Sequence, residues 1–250
     1  MKIIINNLAI EYSDVGQGPI VLFLHGWKDT SGTFRPLIEA MGHDWRFVSV
    51  DMPGFGGSEL PRAAWTLADY VDFVASFIHK LSIDVDLIVG HSMGGRIIIK
   101  GLATEKLHAD RAVLIGAAGI AKTNTARNQM FKIVAKAGKA ATAIPPFSLL
   151  RHGLRRRLYR ASGSDYLSAG PLAQTFLNLI REDLQSMASQ IQIPVLLVWG
   201  AHDAQTPVSD GRKLKSLIAH SNLLVIDDAD HFVHHSHARE IAAAIRDFSK

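Results

Sequence analysis

The chain has 250 residues, 48% of them hydrophobic, with 27 basic and 23 acidic side chains and no cysteine. Such a length and balance fit one large globular domain, or one domain carrying an insertion, and argue against a disordered chain. Without cysteine, disulfides and thiolate metal sites are excluded, and no apolar run reaches the roughly 18 residues that a membrane crossing needs.

The first stretch, "MKIIINNLAIEYSD", has one lysine and a short apolar run broken by Asn6 and Asn7. It lacks the long apolar core of a secretory signal and reads as an antiparallel entry hairpin, so the expected location is the cytoplasm and the protein is not transmembrane. Near-continuous apolar runs follow at residues 20–26, 46–51, 86–92, 111–117, 194–200 and 222–227. Runs of this kind are strands of a mainly parallel sheet with helices over both faces. Helical patterns fall between them at 34–41, 66–81, 94–104, 209–219 and 235–248, which gives an α/β fold.

The alternation breaks between about 121 and 187. Ten cations and no carboxylate lie between Ala121 and Arg160, so the remaining chain carries 17 basic and 23 acidic residues. Met130, Val134, Ala137 and Ala141 form one helical stripe, Leu150, Leu154 and Leu158 a second, and Pro145 and Pro146 separate them. The expected division is a core of residues 1–120 and 188–250 with a helical cap insertion of residues 121–187. The cationic cap offers two readings: a surface for an acidic partner or anionic surface, or a solvated lid whose arginines pair with the body. Nucleic acid is not expected, because no reading motif accompanies the charge.

The run "LIVGHSMGGR" sets Ser92 between glycines at the end of one strand and the start of a helix. A sharp strand-to-helix turn pushes a serine oxygen out of the sheet, and flanking glycines relieve the crowding there. A serine nucleophile needs a histidine base and an orienting carboxylate. Asp203 follows the strand at 194–200 and His231 the strand at 222–227, in the order Ser, Asp, His. Open α/β sheets build their sites at this carboxyl edge. The strand at 111–117, the other common place for the acid, ends only in Gly116, Ala117, Ala118 and Gly119. An oxyanion hole needs two fixed N–H donors: Met93, after the nucleophile, and Trp27, in the "HGW" loop, are the candidates. His25 is expected to hold that loop by hydrogen bonds, and Asp51 with Gly54, Gly56 and Gly57 to shape the turn after the 46–51 strand. Bland alternatives stand beside these, Asp203 as a helix N-cap and Ser92 as a turn serine; His234, His235 and His237 are expected on a helix surface.

Five segments in order, "LHGW", "DMPGFGGS", "GHSMGG", "WGAHDAQTP" and "DADHF", resemble the α/β-hydrolase family. The resemblance implies an eight-stranded, mostly parallel sheet with a cap inserted after the sixth strand. One departure is Asp230, where the family usually has glycine before the catalytic histidine. Serine at the nucleophile position argues against the family's dehalogenases and epoxide hydrolases, which use aspartate. The expected activity is cleavage of small-molecule carboxylic esters through an acyl-enzyme. Thioester, carbon–carbon bond and perhydrolase chemistry begin with the same attack, and a non-catalytic scaffold is the reading from another class. No cofactor and no metal are expected; His231 and His235 have i,i+4 spacing but lack a third ligand in the sequence nearby.

Overall fold

The structure, a computed structural model, describes residues 1–120 and 169–250. The opening hairpin consists of β1 (Lys2–Ile5) and β2 (Leu8–Gly16). Ile5 pairs with Leu8, which leaves Asn6 and Asn7 as a two-residue turn with φ of 50° and 63°. Two left-handed residues in succession give the turn whose twist matches an antiparallel hairpin, and asparagine tolerates that conformation.

Six strands complete the sheet: β3 (Ile20–Leu24), β4 (Arg46–Val50), β5 (Leu87–His91), β6 (Arg111–Ile115), β7 (Val195–Gly200) and β8 (Ser221–Ile226). The order is β1-β2-β4-β3-β5-β6-β7-β8, with β2 antiparallel to both its neighbours and β3 to β8 mutually parallel. Every residue of β5 and β7 is buried, as parallel strands covered on both faces require. The strands expected over 20–26, 86–92 and 111–117 end one or two residues early. His25, Ser92 and Gly116 leave the ladder there to enter the site's loops.

Helices α1 (Arg35–Met41), α2 (Leu67–Leu81) and α3 (Met93–Ala103) precede the gap in the described residues. After it come α4 (Ala173–Arg181), α5 (Gln185–Ala188), α6 (Val208–Leu217), α7 (Val233–Ser236) and α8 (Ala238–Phe248). Helix α2 starts at a reciprocal cap: the Thr66 N–H donates to Asp69 Oδ2 (2.7 Å) and the Asp69 N–H to Thr66 Oγ1 (3.3 Å). Its buried face, Leu67, Tyr70, Val71, Phe73, Val74 and Phe77, follows the helical repeat. The single helix expected over 235–248 is two, because His237 (φ −123°, ψ 34°) leaves the helical region between α7 and α8.

Alternate residues of the central strands, Val21 and Phe23, Val113 and Ile115, Leu196 and Val198, share one core with Phe34 just before α1, Leu37 of α1, and Ile241 and Ile245 of α8. A two-residue period on strands meeting a 3.6-residue period on helices produces this layer. Residues 1–120 and 182–250 make one compact unit. Within residues 121–181 the described part is a 3₁₀ turn at Gly170–Leu172 and α4. The two stripes expected at 130–141 and 150–160 lie outside the described residues. No helix of the described residues is long and apolar enough to cross a membrane.

Candidate active site

Ser92 stands directly after β5 and before α3, with φ 50° and ψ −105°. A non-glycine residue held in such a region stores strain of about 1–3 kcal/mol and persists only where its surroundings fix it. Both its backbone groups are fixed: the N–H donates to Ile115 O (3.0 Å), and the carbonyl accepts from Arg96 N (3.2 Å) and Ala118 N (3.1 Å). The glycines around it are required by packing. A Cβ on Gly90 would lie 2.7 Å from the Gly94 carbonyl carbon, and one on Gly94 would overlap the Leu24 carbonyl oxygen. Helix α3 thus approaches the ends of β3 and β5 more closely than any side chain permits.

The loops after β7 and β8 bring Asp203 and His231 together. The His231 Nδ1–H donates to Asp203 Oδ2 at 2.7 Å, and both residues are buried. That bond fixes the tautomer and leaves Nε2 as the basic nitrogen. Asp203 Oδ1 accepts from the N–H groups of Gln205 and Thr206, each at 2.8 Å. The Thr206 hydroxyl lies 2.8 Å from Asp203 Oδ2 and 2.9 Å from Gly116 O, two acceptors that share its single proton. Burial pushes the Asp203 carboxyl up, but the hydrogen bond and charge of His231, together with Thr206, outweigh it and hold the pKa below the ordinary carboxylate value. Trp199 of β7, fully buried, donates its Nε1–H to Thr206 O (2.8 Å) and so pins the same loop to the sheet.

Gly116 (φ 48°) closes the other side of this pair. A Cβ there would lie 3.2 Å from both Asp203 Oδ2 and His231 Nδ1. Among the described residues no hydrogen bond joins the Ser92 hydroxyl to His231. The elbow and the histidine loop are linked instead through His91, whose Nε2–H donates to His231 O at 3.0 Å, with the two rings 4.6 Å apart.

The loop after β3 carries Trp27 at a tight turn, closed by Asp29 N donating to Gly26 O (3.4 Å), with Lys28 at φ 59°. Gly26 lets this loop lie against the elbow: a Cβ would be 2.8 Å from His91 Nδ1 and 3.4 Å from Ser92 Cβ. Met93 is the first residue of α3, where helix N–H groups have no partner within the helix. His25 holds the loop as the sequence suggests. Its Nδ1–H donates to Gly26 O (2.7 Å), and its Nε2 accepts from Met52 N–H (2.8 Å). Asp51 joins two loops, with Oδ1 accepting from Ser31 N (2.7 Å) and Oδ2 from Gly57 N (2.9 Å).

Asp230 does not face the imidazole through a hydrogen bond; its Oδ1 accepts from Phe232 N (2.8 Å) and shapes the turn. A short acidic side chain bonding its own backbone two residues on is a recurrent turn device, and it serves here where the family's glycine is absent. His234 is fully buried, contrary to the surface position expected for it, whereas His235 is exposed. Thr206, Gly116, His91 and His234 were not singled out by sequence as site residues. Thr206, three residues beyond Asp203, carried the one local signal, an acid followed by a hydroxyl at turn spacing.

A profile of the alpha/beta hydrolase family matches residues 21–244. The chain is 27% identical over 263 residues to the AB hydrolase superfamily protein YisY of Bacillus subtilis (strain 168), covering 97% of this chain and 96% of that protein. It is 26% identical over 261 residues to the 2-(acetamidomethylene)succinate hydrolase of Mesorhizobium japonicum, covering 99% and 94%. The fold matches an esterase from Exiguobacterium antarcticum with a TM-score of 0.77 at 20% identity, covering 99% of this chain and 98% of that one. The chain belongs to the alpha/beta hydrolase family and is by class a hydrolase.

Proposed function

We propose that the protein cleaves small carboxylic esters through an acyl-enzyme on Ser92, with His231 as base and Asp203 as the group that orients it. The observation that carries this reading is the strained Ser92 turn on the same sheet edge as a buried Asp203–His231 hydrogen bond of 2.7 Å. Ser92 Oγ attacks the carbonyl carbon while His231 Nε2 takes its proton. The N–H groups of Trp27 and Met93 receive the oxyanion. Collapse breaks the bond to the leaving alcohol, which takes the proton from His231. Water then attacks the acyl carbon, again giving its proton to His231, and the carboxylic acid leaves as Ser92 is restored. A serine–histidine hydrogen bond that is absent from the resting site and forms around substrate is compatible with this scheme. No metal or cofactor takes part in these steps.

The cationic segment supports a preference for anionic substrates or an acidic partner. The Mesorhizobium relative is named for a succinate, which bears carboxylates.

Incubation with a fluorophosphonate probe and activated esters of increasing acyl length tests the assignment. The expected result is covalent labelling and turnover in the parent, with both lost in Ser92→Ala and kcat/KM reduced by about 10⁴-fold or more. Labelling that persists in Ser92→Ala removes Ser92 as the nucleophile. Parallel thioesters decide the leaving group.

A further inference from the structure

Beside the elbow, polar atoms from the loop after β3, the last residue of β5 and α7 come together in the interior. Asp29, His91 and His234 offer one ligand atom each, all within 4.8 Å of one another. Asp29 Oδ2, His91 Nδ1 and His234 Nδ1 are all buried, and none has a hydrogen-bond partner among the described residues. His91 is 2% exposed and His234 0%. Buried polar atoms in folded proteins are paired in the great majority of cases, so three orphans facing one point need an explanation.

The tautomers narrow it. His91 Nε2 meets a carbonyl, His231 O, which only accepts; the proton is therefore on Nε2, and Nδ1 presents a bare lone pair. Asp29 is held by Oδ1, which accepts from Thr30 N (2.8 Å), and this leaves Oδ2 uncommitted. The Thr33 hydroxyl lies 3.0 Å from His234 Nε2 and 2.6 Å from His235 Nε2. When Thr33 gives its proton to His235, it accepts from His234 Nε2–H, and His234 Nδ1 is bare as well. In that arrangement three lone pairs, one of them on a carboxylate, gather without a donor; in the opposite one the His234 Nδ1–H has no acceptor among the described residues. What they lack is positive charge.

We infer that Asp29 Oδ2, His91 Nδ1 and His234 Nδ1 bind a divalent transition-metal ion of the zinc class. Two imidazoles and one carboxylate form a ligand set such ions accept, with a fourth position left for water. Bonds of about 2.0–2.1 Å put tetrahedral ligand atoms about 3.3 Å apart, so the cluster contracts on binding by side-chain tilts of up to roughly an ångström. His91 binds without losing a proton, and each imidazole has its other nitrogen held, by His231 O and by Thr33, as metal-bound histidines commonly do. The histidine pair is not His231 with His235, the pair whose spacing is visible in sequence. The ion would join the oxyanion loop, the residue before Ser92 and the helix that follows His231. It supplies a clamp and takes no part in the acyl transfer, so its binding can be read whether or not the protein hydrolyses esters.

The test uses the full chain, stripped with a chelator and titrated with zinc and with cobalt(II). The expected result is one tight equivalent, a Tm rise of about 5 °C or more at metal 100-fold above Kd, and cobalt ligand-field absorption of a low-coordinate nitrogen and oxygen site. Asp29→Asn and His234→Gln should each weaken binding by about 10-fold or more and remove the absorption. Zinc-edge anomalous scattering from parent crystals grown with zinc gives a reading that does not depend on either variant folding, with a peak expected within bonding distance of all three atoms. Equal binding by parent and variants would assign the metal to surface histidines and overturn the inference. So would a water, with no anomalous signal, donating to His91 Nδ1 and Asp29 Oδ2.

Discussion

The turns that carry Ser92 and His231 sit on the same sheet edge but are held by different physics. At Ser92 the backbone is fixed by close packing: α3 lies where Gly90 and Gly94 have no side chains, and φ is forced to 50°. At His231 the turn is also packed closely, since a Cβ on Gly200 of β7 would overlap the Asp230 carbonyl oxygen, but polar atoms add to the packing: Asp203, Thr206, the His91 ring and the Asp230 carboxylate. Both turns are intolerant of volume, and the second depends on polar partners as well. Ser92 is placed by packing, and His231 by packing and hydrogen bonds together.

The sharpest way to break the second turn alone is Asp203→Asn. The amide oxygen still accepts from Gln205 and Thr206, but its NH₂ then faces His231 Nδ1 and favours the opposite tautomer. Ester kcat should fall by about 10³–10⁴-fold with little change in KM and in Tm. Near-full turnover in steady-state kinetics would take Asp203 out of the mechanism.

Breaking the first turn takes one methyl group. Gly94→Ala drives α3 off the Leu24 carbonyl and should cost about 1–3 kcal/mol, a Tm drop of roughly 3–10 °C by calorimetry. It should lower activity as well, because Met93 moves with the helix. An unchanged Tm would show that α3 can shift freely, and the steric account of the elbow would fail.

The oxyanion loop sharpens the comparison, since His25 combines burial with a polar anchor. Its Nδ1–H is committed to Gly26 O and its Nε2 to Met52 N–H, so the fold has no place for a second proton. Burial is the largest cause holding its pKa below the ordinary 6.5. Above that pH neither state takes a proton and this contribution is fully present. As pH falls below it the unfolded chain binds a proton that the native state refuses, so stability declines, by up to about 1.4 kcal/mol per pH unit. Urea unfolding between pH 8 and pH 5 should show a shallower decline in His25→Asn than in the parent; parallel slopes would contradict the locked tautomer.

The smallest effect belongs to the cationic segment. Replacing Arg155, Arg156 and Arg157 with glutamine should reduce kcat/KM for an anionic ester about threefold to tenfold more than for a neutral one of equal length at low salt. The gap should close as salt is raised. Equal losses on both esters at every salt concentration would leave those arginines no part in substrate capture.

The fold was legible in the sequence because each buried parallel strand is an uninterrupted apolar run, and Ser92, Asp203 and His231 each stand just past one of those runs. The break at His237 was not legible, since a four-residue α7 is too short to show a period of its own. The same shortness concealed His234: one turn of helix gives no face to count, and its burial comes from Phe34 and His91, distant in sequence. Gly116 reads as a strand-end glycine until the Asp203–His231 pair is placed against it. Asp29 acquires meaning only beside two histidines that lie 62 and 205 positions away.

Trp199 gives the acid loop an optical reporter. Its ring is fully buried and lies close to Gly211 of α6, and its N–H ends on Thr206, three residues from Asp203. The chain has four tryptophans, and the other three, Trp27, Trp45 and Trp65, lie far from it in sequence. With those three replaced by phenylalanine, the emission of the protein would come from one indole bonded to the loop that carries the carboxylate. Changes in that loop's hydration when an ester is added would then be visible as colour and lifetime, without any added label.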